Sequence, residues 1–252
     1  MAVQDVMPAV APARERPSSS TYRVWRGALW CGAAYMAVGL VCWAIVAKFL
    51  PAPHESWTAD QVKHFFSSSE HRVRAGLIGY IFIGPLYVPF SLVIARIMRQ
   101  IEGPGGILNQ LEFFGGIGTA LVTQFSGVLW LAASFRTGSR SASEVMLLHD
   151  VGWFFFDMTF AVTLVQFCAF GIAILLDRRA EPLLPRWLSW LSFAVAATFL
   201  PLLVMPFTVH GPFAWGGLFN YYVALGGFFV WIAVVFVYAR RAVDRLEREG
   251  IA

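Results

Sequence analysis

Six runs of about twenty or more apolar residues dominate this chain, and each is long enough to cross ~30 Å of hydrocarbon at ~1.5 Å per helical residue. They cover approximately 24–50, 74–97, 110–135, 145–176, 187–208 and 216–240. In water such runs would leave large apolar patches, and the chain has little charge to screen them. Of its 252 residues, 58% are apolar and only 13% are charged, against ~25% charged in an ordinary soluble domain. A water-soluble globular protein is thereby excluded. The expectation is an all-α, polytopic transmembrane helix bundle of six spans. The fourth run is long enough that its first turn projects beyond the hydrocarbon or the helix tilts strongly. Aromatic residues near the run ends, such as Trp25, Trp57, Trp187 and Trp215, suit interfacial belts.

Orientation is read from the basic residues, which concentrate on the cytoplasmic side of membrane spans. One side collects Arg14, Arg16, Arg23, Arg26, Arg96, Arg99, Arg178, Arg179, Arg186, Arg240, Arg241, Arg245 and Arg248, which is 13 of the 19 Lys and Arg residues. The other side holds Lys48, Lys63, Arg72, Arg74, Arg136 and Arg140. Both termini are therefore expected in the cytoplasm, which an even number of spans also requires. The formal charge of +4 is topological, because the basic residues flank spans and form no stripe interleaved with aromatics. No nucleic-acid partner is expected.

Residues 1–22 are rich in Pro, Ala and Ser and are read as a disordered cytoplasmic tail, not a signal peptide. The six-helix domain covers 23–240, and 241–252 alternates charges as a cytoplasmic helical tail. The outer connection 51–73 is the longest. Within it, Thr58 is a good N-cap and Val62, Phe65 and Phe66 share one helical face, which suggests a short interfacial helix; a plain solvated loop is the alternative. Pro85 and Pro89 in the second run, and Pro201 and Pro206 in the fifth, predict kinks. Gly115-Gly116 and Gly226-Gly227 permit close helix approach.

Ionisable groups inside a span cost about 2.5–3.5 kcal/mol each and need an explanation. Asp157 lies well inside the fourth run and Glu112 near the inner start of the third. At 100° per residue, His149, Asp150, Trp153 and Asp157 fall in one arc, a face running from the outer interface inward. It is read either as one wall of an outward-opening pocket, or as two interfacial polar residues above an Asp157 that caps a Thr, Tyr or Arg of a neighbouring helix. On the third run Glu112, Gly116, Thr119, Thr123, Ser126 and Trp130 align in a small-and-polar stripe, either a packing seam or the opposite wall.

His54, His64, His71, His149 and His210 all fall on the outer side, but no His-x3-His or Glu-x2-His pair shares a helix, so interfacial histidines without a metal are expected. The three cysteines, Cys31, Cys42 and Cys168, lie in apolar runs and form no ligand pair. No Gly-x-Ser-x-Gly elbow, His-Glu-x-x-His or phosphate loop is present. The sequence assigns no cofactor.

Three segment ends carry a resemblance: Glu70-His71-Arg72-Val73, Asp177-Arg178-Arg179, and Pro185-Arg186-Trp187-Leu188-Ser189-Trp190-Leu191. Together they resemble an uncharacterised family of bacterial polytopic membrane proteins, a domain of unknown function, over 24–240 by layout. The resemblance implies a bundle of six or seven helices in a bacterial inner membrane and carries over no catalytic residue.

The functional expectation is a membrane protein that binds or passes a small apolar molecule or lipid within its bundle. Asp157 would be the polar anchor, with Trp153, His149, Asp150, Glu112, Thr119 and Thr123 around it and Phe154, Phe155, Phe156 and Phe160 as aromatic walls. Two alternatives stand beside it. One is an integral-membrane enzyme acting on a lipid or isoprenoid through His149, Asp150 and Asp157. The other is a structural subunit packed against further membrane subunits.

Overall fold

The computed structural model describes residues 18–251. Among them the chain is helical throughout, with no strand. Its helices are α1 (Ser19–Leu40), α2 (Ala59–Ser68), α3 (Glu70–Ile83), α4 (Tyr87–Glu102), α5 (Leu108–Ser134), α6 (Ala142–Met158), α7 (Phe160–Leu175), α8 (Trp187–Thr198) and α9 (Leu225–Glu249). Six helical stretches are long and apolar enough to cross a membrane: Ser19–Val46, Glu70–Glu102, Leu108–Ser134, Ala142–Leu175, Trp187–Phe207 and Leu218–Glu249. These are the six runs legible in the sequence. Large apolar side chains such as Phe82, Phe114, Phe125 and Leu203 point outward and are exposed, a surface that suits lipid and not water.

The N-terminal tail reading needs an adjustment. Residues 1–17 lie outside the described residues, whereas Ser19–Tyr22 already form the first turn of α1. The reason is packing at the other end of the chain: Tyr22 is buried and donates its hydroxyl to the Ile251 carbonyl at 3.0 Å. Arg26 bonds Asp244 at 2.7 Å and also pairs with Glu247. The first and last spans are thus clamped together at one end of the bundle. The expected helical tail is present, as α9 runs to Glu249.

Helix α5 is the central column and packs against α3, α4, α6 and α7. At Gly116 a Cβ would lie 2.0 Å from Ser91 Oγ of α4, and at Gly115 it would lie 2.6 Å from Gln166 Cβ of α7. Hydrogen at these two positions is what lets three helices meet. The other glycine pair is less tightly packed: nothing lies within 4 Å of a Cβ at Gly226, and one at Gly227 would meet Val195 and Thr198 only in ordinary contact at 3.5 Å.

The expected interfacial helix is α2. Thr58 Oγ1 accepts from the Gln61 N–H, the Gln61 side chain accepts from the Thr58 N–H at 2.8 Å, and Val62 and Phe66 are buried. That reciprocal cap satisfies two donors that a helix start otherwise leaves open. The proline expectations also have structural counterparts. In the second span, Gly84–Leu86 forms a 3-10 turn at Pro85, which has no N–H for the Ile81 carbonyl. Gln124 of α5 donates to that carbonyl instead. In the fifth span α8 passes into a 3-10 stretch, Leu200–Phe207, that contains Pro201 and Pro206.

Three further irregularities carry no proline. The first span ends in a π-helical segment, Val41–Val46, and the sixth begins with another, Leu218–Ala224. The fourth span is broken at Thr159, between α6 and α7. There the Thr159 hydroxyl donates back to the Phe155 carbonyl at 2.7 Å, a bond that competes with the helical ladder.

Two apolar clusters build the core. One contains Phe90, Phe167, Phe170 and Trp231, near the joined termini. The other contains Trp43, Phe49, Phe66, Trp130, Trp153 and Trp215, beneath α2.

Candidate functional site

A cavity of about 70 Å³ lies where the two clusters meet, well above the ~10–15 Å³ that one water needs. Tyr35 and Phe228 reach it from one cluster, and Trp43 and Tyr80 from the other. Asp157 lies near the middle of its 34-residue span, Ala142–Leu175, so the cavity sits about halfway along that span.

Polar groups enter from five of the six spans. Tyr35 of α1 and Thr123 of α5 pair their hydroxyls at 2.9 Å, and Thr119 of α5 pairs with Thr163 of α7 at 3.3 Å. These hydroxyls satisfy one another. Three other polar atoms on lining residues are buried with no hydrogen-bond partner: Trp43 Nε1, Asp157 Oδ2 and Asn220 Oδ1. Only two more buried side-chain atoms among the described residues share that condition, one on Glu112 and one on Arg179. An unpartnered buried polar atom is unfavourable by about 1–3 kcal/mol, so three around one cavity require a reason.

The helix irregularities position all three. Trp43 lies in the π-helical segment of the first span and Asn220 in that of the sixth. Asp157 lies two residues before the break at Thr159. Single π turns insert an extra residue per turn and re-aim neighbouring side chains, and they recur at functional sites. Asn220 is itself held by its amide, whose Nδ2 donates to the carbonyls of Phe213 and Ala214, leaving Oδ1 free.

The sequence-derived candidates separate into three groups. Asp157, Thr119 and Thr123 line the cavity, as do Phe156 and Phe160. His149, Asp150 and Trp153 do not; they belong to a plug above it. His149 is fully buried, 0% exposed, instead of standing in interfacial water. Its Nε2 accepts from the Trp153 indole at 3.0 Å, so Nδ1 carries the proton and donates to Asp150 at 3.1 Å. Phe66 of α2 and Trp215 close over the imidazole, with ring centroids 5.8 and 5.7 Å away. Trp215 also stacks on Trp153 at 5.7 Å and donates to the Pro53 carbonyl at 2.8 Å. The outward-opening face expected from helical phase is therefore covered, because α2 and the 211–217 loop lie across it. Of the other two aromatic candidates, Phe154 is exposed on the lipid-facing surface, and Phe155 packs against Phe125.

Glu112 forms the third group. Its Oε1 accepts from Ser91 Oγ at 3.0 Å and from Gln166 Nε2 at 2.9 Å. Gln166 Oε1 in turn accepts from the Tyr87 hydroxyl at 3.2 Å and faces Thr119 Oγ1 at 3.5 Å. Glu112 is thus one residue removed from the cavity wall. The α5 stripe acts both as a packing seam, at Gly116, and as a wall, at Thr119 and Thr123. The alternative role of Asp157, capping a neighbouring Thr, Tyr or Arg, is not adopted: neither of its oxygens has such a bond.

Trp43, Asn220 and Gln166 were not visible as site residues in the sequence. A Trp in an apolar run reads as core, and Asn220 sits where a span end was expected. Both His149 nitrogens are occupied, and among the described residues no group of three or more His, Cys, Asp or Glu is arranged to hold a metal ion. The other four histidines are exposed.

Compared with known protein families, curated proteins and solved structures, the chain matches none. The fold and the site define a multi-pass membrane helix bundle with an internal, largely apolar cavity lined by a few polar side chains.

Proposed function

We propose that this chain is a bacterial inner-membrane protein that binds a small, largely apolar molecule in its mid-membrane cavity, with Asp157 as the polar anchor. The observation that carries the reading is the convergence of three unpartnered buried polar atoms, on Trp43, Asp157 and Asn220, at one cavity. One donor and two acceptors held by helix irregularities suit a ligand that offers the matching groups, while aromatic rings supply the rest of the contact. Such a ligand offsets a desolvation cost that the folded chain otherwise carries alone. The bacterial setting rests on the resemblance of the segment ends, and the cytoplasmic placement of both termini rests on the arginine bias.

The test is native mass spectrometry of protein released from lipid nanodiscs. The parent protein is expected to retain a small-molecule adduct that Asp157→Asn loses, with both variants inserted to the same level. Identical spectra for the two would remove Asp157 as the anchor.

A further inference from the structure

We infer that the molecule bound beside Asp157 is an organic cation, an amine or quaternary ammonium on an apolar body. This deepens the reading above and rests on it. Among the described residues Asp157 is the only acidic side chain in the cavity lining, and the lining contains no Lys or Arg. Within the hydrocarbon-spanning interior the second carboxylate, Glu112, is already occupied by Ser91 and Gln166. A buried carboxyl group with no partner in the fold takes up its charge at least cost beside a cation brought in from outside. The lining offers an anionic ligand no basic side chain.

The rest of the lining suits the same class. Tyr35, Trp43, Tyr80, Phe156, Phe199 and Phe228 present aromatic rings from five segments of the chain. Ring faces attract cations, most of all weakly hydrated ammonium groups whose charge is spread over methyl or methylene carbons. The second unpartnered acceptor, Asn220 Oδ1, adds a site for an ammonium N–H. A lipid hydroxyl or a ketone would engage one polar atom but leave the aromatic cage and the carboxylate without a matching charge.

The experiment compares two radiolabelled probes of one shape, benzyltrimethylammonium and its neutral carbon isostere neopentylbenzene. Binding is measured on the full chain in nanodiscs, with uptake into protein-free nanodiscs subtracted. The cation is expected to bind about 30-fold more tightly than the isostere, which is what one desolvated cation–π contact supplies. Asp157→Asn, which preserves side-chain shape, is expected to reduce that preference, leaving only the share due to the aromatic rings, and Asp157→Glu to keep it. Equal binding of the two probes by the parent protein would overturn the cationic class and leave an apolar-ligand cavity standing. Binding of neither would overturn both. A preference undiminished in Asp157→Asn would overturn Asp157 as the counter-charge. Because the parent protein's preference is read without any substitution, a variant that fails to fold does not decide the outcome.

Discussion

The indole N–H of Trp153 donates to Nε2 of His149 at 3.0 Å, one turn apart on α6, and both side chains are fully buried. His149 is a structural acceptor here, with its second nitrogen committed to Asp150. His149→Ala would leave the Trp153 N–H unpartnered and empty a fully buried site. A loss of about 2–4 kcal/mol is expected, combining a large-to-small cavity with an orphaned donor. Asp150 is partly exposed, with 32% of its side chain open, so Asp150→Asn is expected to change stability by less than about 1 kcal/mol. Chemical unfolding in mixed micelles reads both values. A larger effect at Asp150 than at His149 would contradict the plug.

The two glycine pairs differ in what surrounds them, and their substitutions separate accordingly. Gly116→Val places carbon into the space of Ser91 Oγ, 2.0 Å from the ideal Cβ, and forces α5 away from α4. A destabilisation of about 1–3 kcal/mol or failure to fold is expected. At Gly226, where a Cβ meets nothing within 4 Å, alanine is expected to be neutral or to stabilise the helix by up to about 1 kcal/mol. Thermal unfolding of the two variants under one set of conditions provides the comparison.

Glu112 joins three helices through Oε1 alone, since Oε2 has no partner. Glu112→Gln retains an oxygen for Ser91 and Gln166 and is expected to fold within about 1 kcal/mol of the parent. Glu112→Ala strands the Ser91 hydroxyl and the Gln166 amide and is expected to lose about 1–3 kcal/mol. Equal losses in the two variants would show that the carboxylate charge, not the hydrogen-bond node, holds α4, α5 and α7 together.

The proposed orientation is checked by labelling. In a version lacking Cys31, Cys42 and Cys168, a membrane-impermeant maleimide is expected to label Ser67→Cys in intact cells, because Ser67 is exposed at the end of α2. Gly105→Cys, in the exposed turn between α4 and α5, is expected to react only after permeabilisation. The reverse pattern would invert the bundle.

Much of this architecture is legible in the residues because lipid imposes a simple length rule on apolar runs. Pro85 and Pro206 announce their bends by lacking an N–H. Thr58 and Gln61 announce the start of α2 by capping chemistry. Asp157 stands out because a carboxylate in an apolar run is costly. The break at Thr159 is different. It lies in Asp-Met-Thr-Phe-Ala-Val, with neither Pro nor Gly, so hydropathy reads straight through it. The π-helical segments around Trp43 and Asn220 pack on α3 and α8, neighbours that no local pattern records. Helical phase put His149 and Asp157 on one face, yet it could not show that α2, from a distant loop, covers the upper half. Whether Asp157 has a partner depends on neighbours from other spans, and that is a property of the assembled bundle alone.

The most direct measurement is an experimental density map of the protein in nanodiscs formed from its native membrane, at a resolution that distinguishes water from organic molecules. Non-protein density too large for water, within hydrogen-bond distance of Asp157 and Asn220 and packed on Trp43, is the expected result. A cavity that is closed, filled by side chains, or occupied by water alone, with Asp157 bonded to a neighbouring helix, would contradict a ligand-binding role.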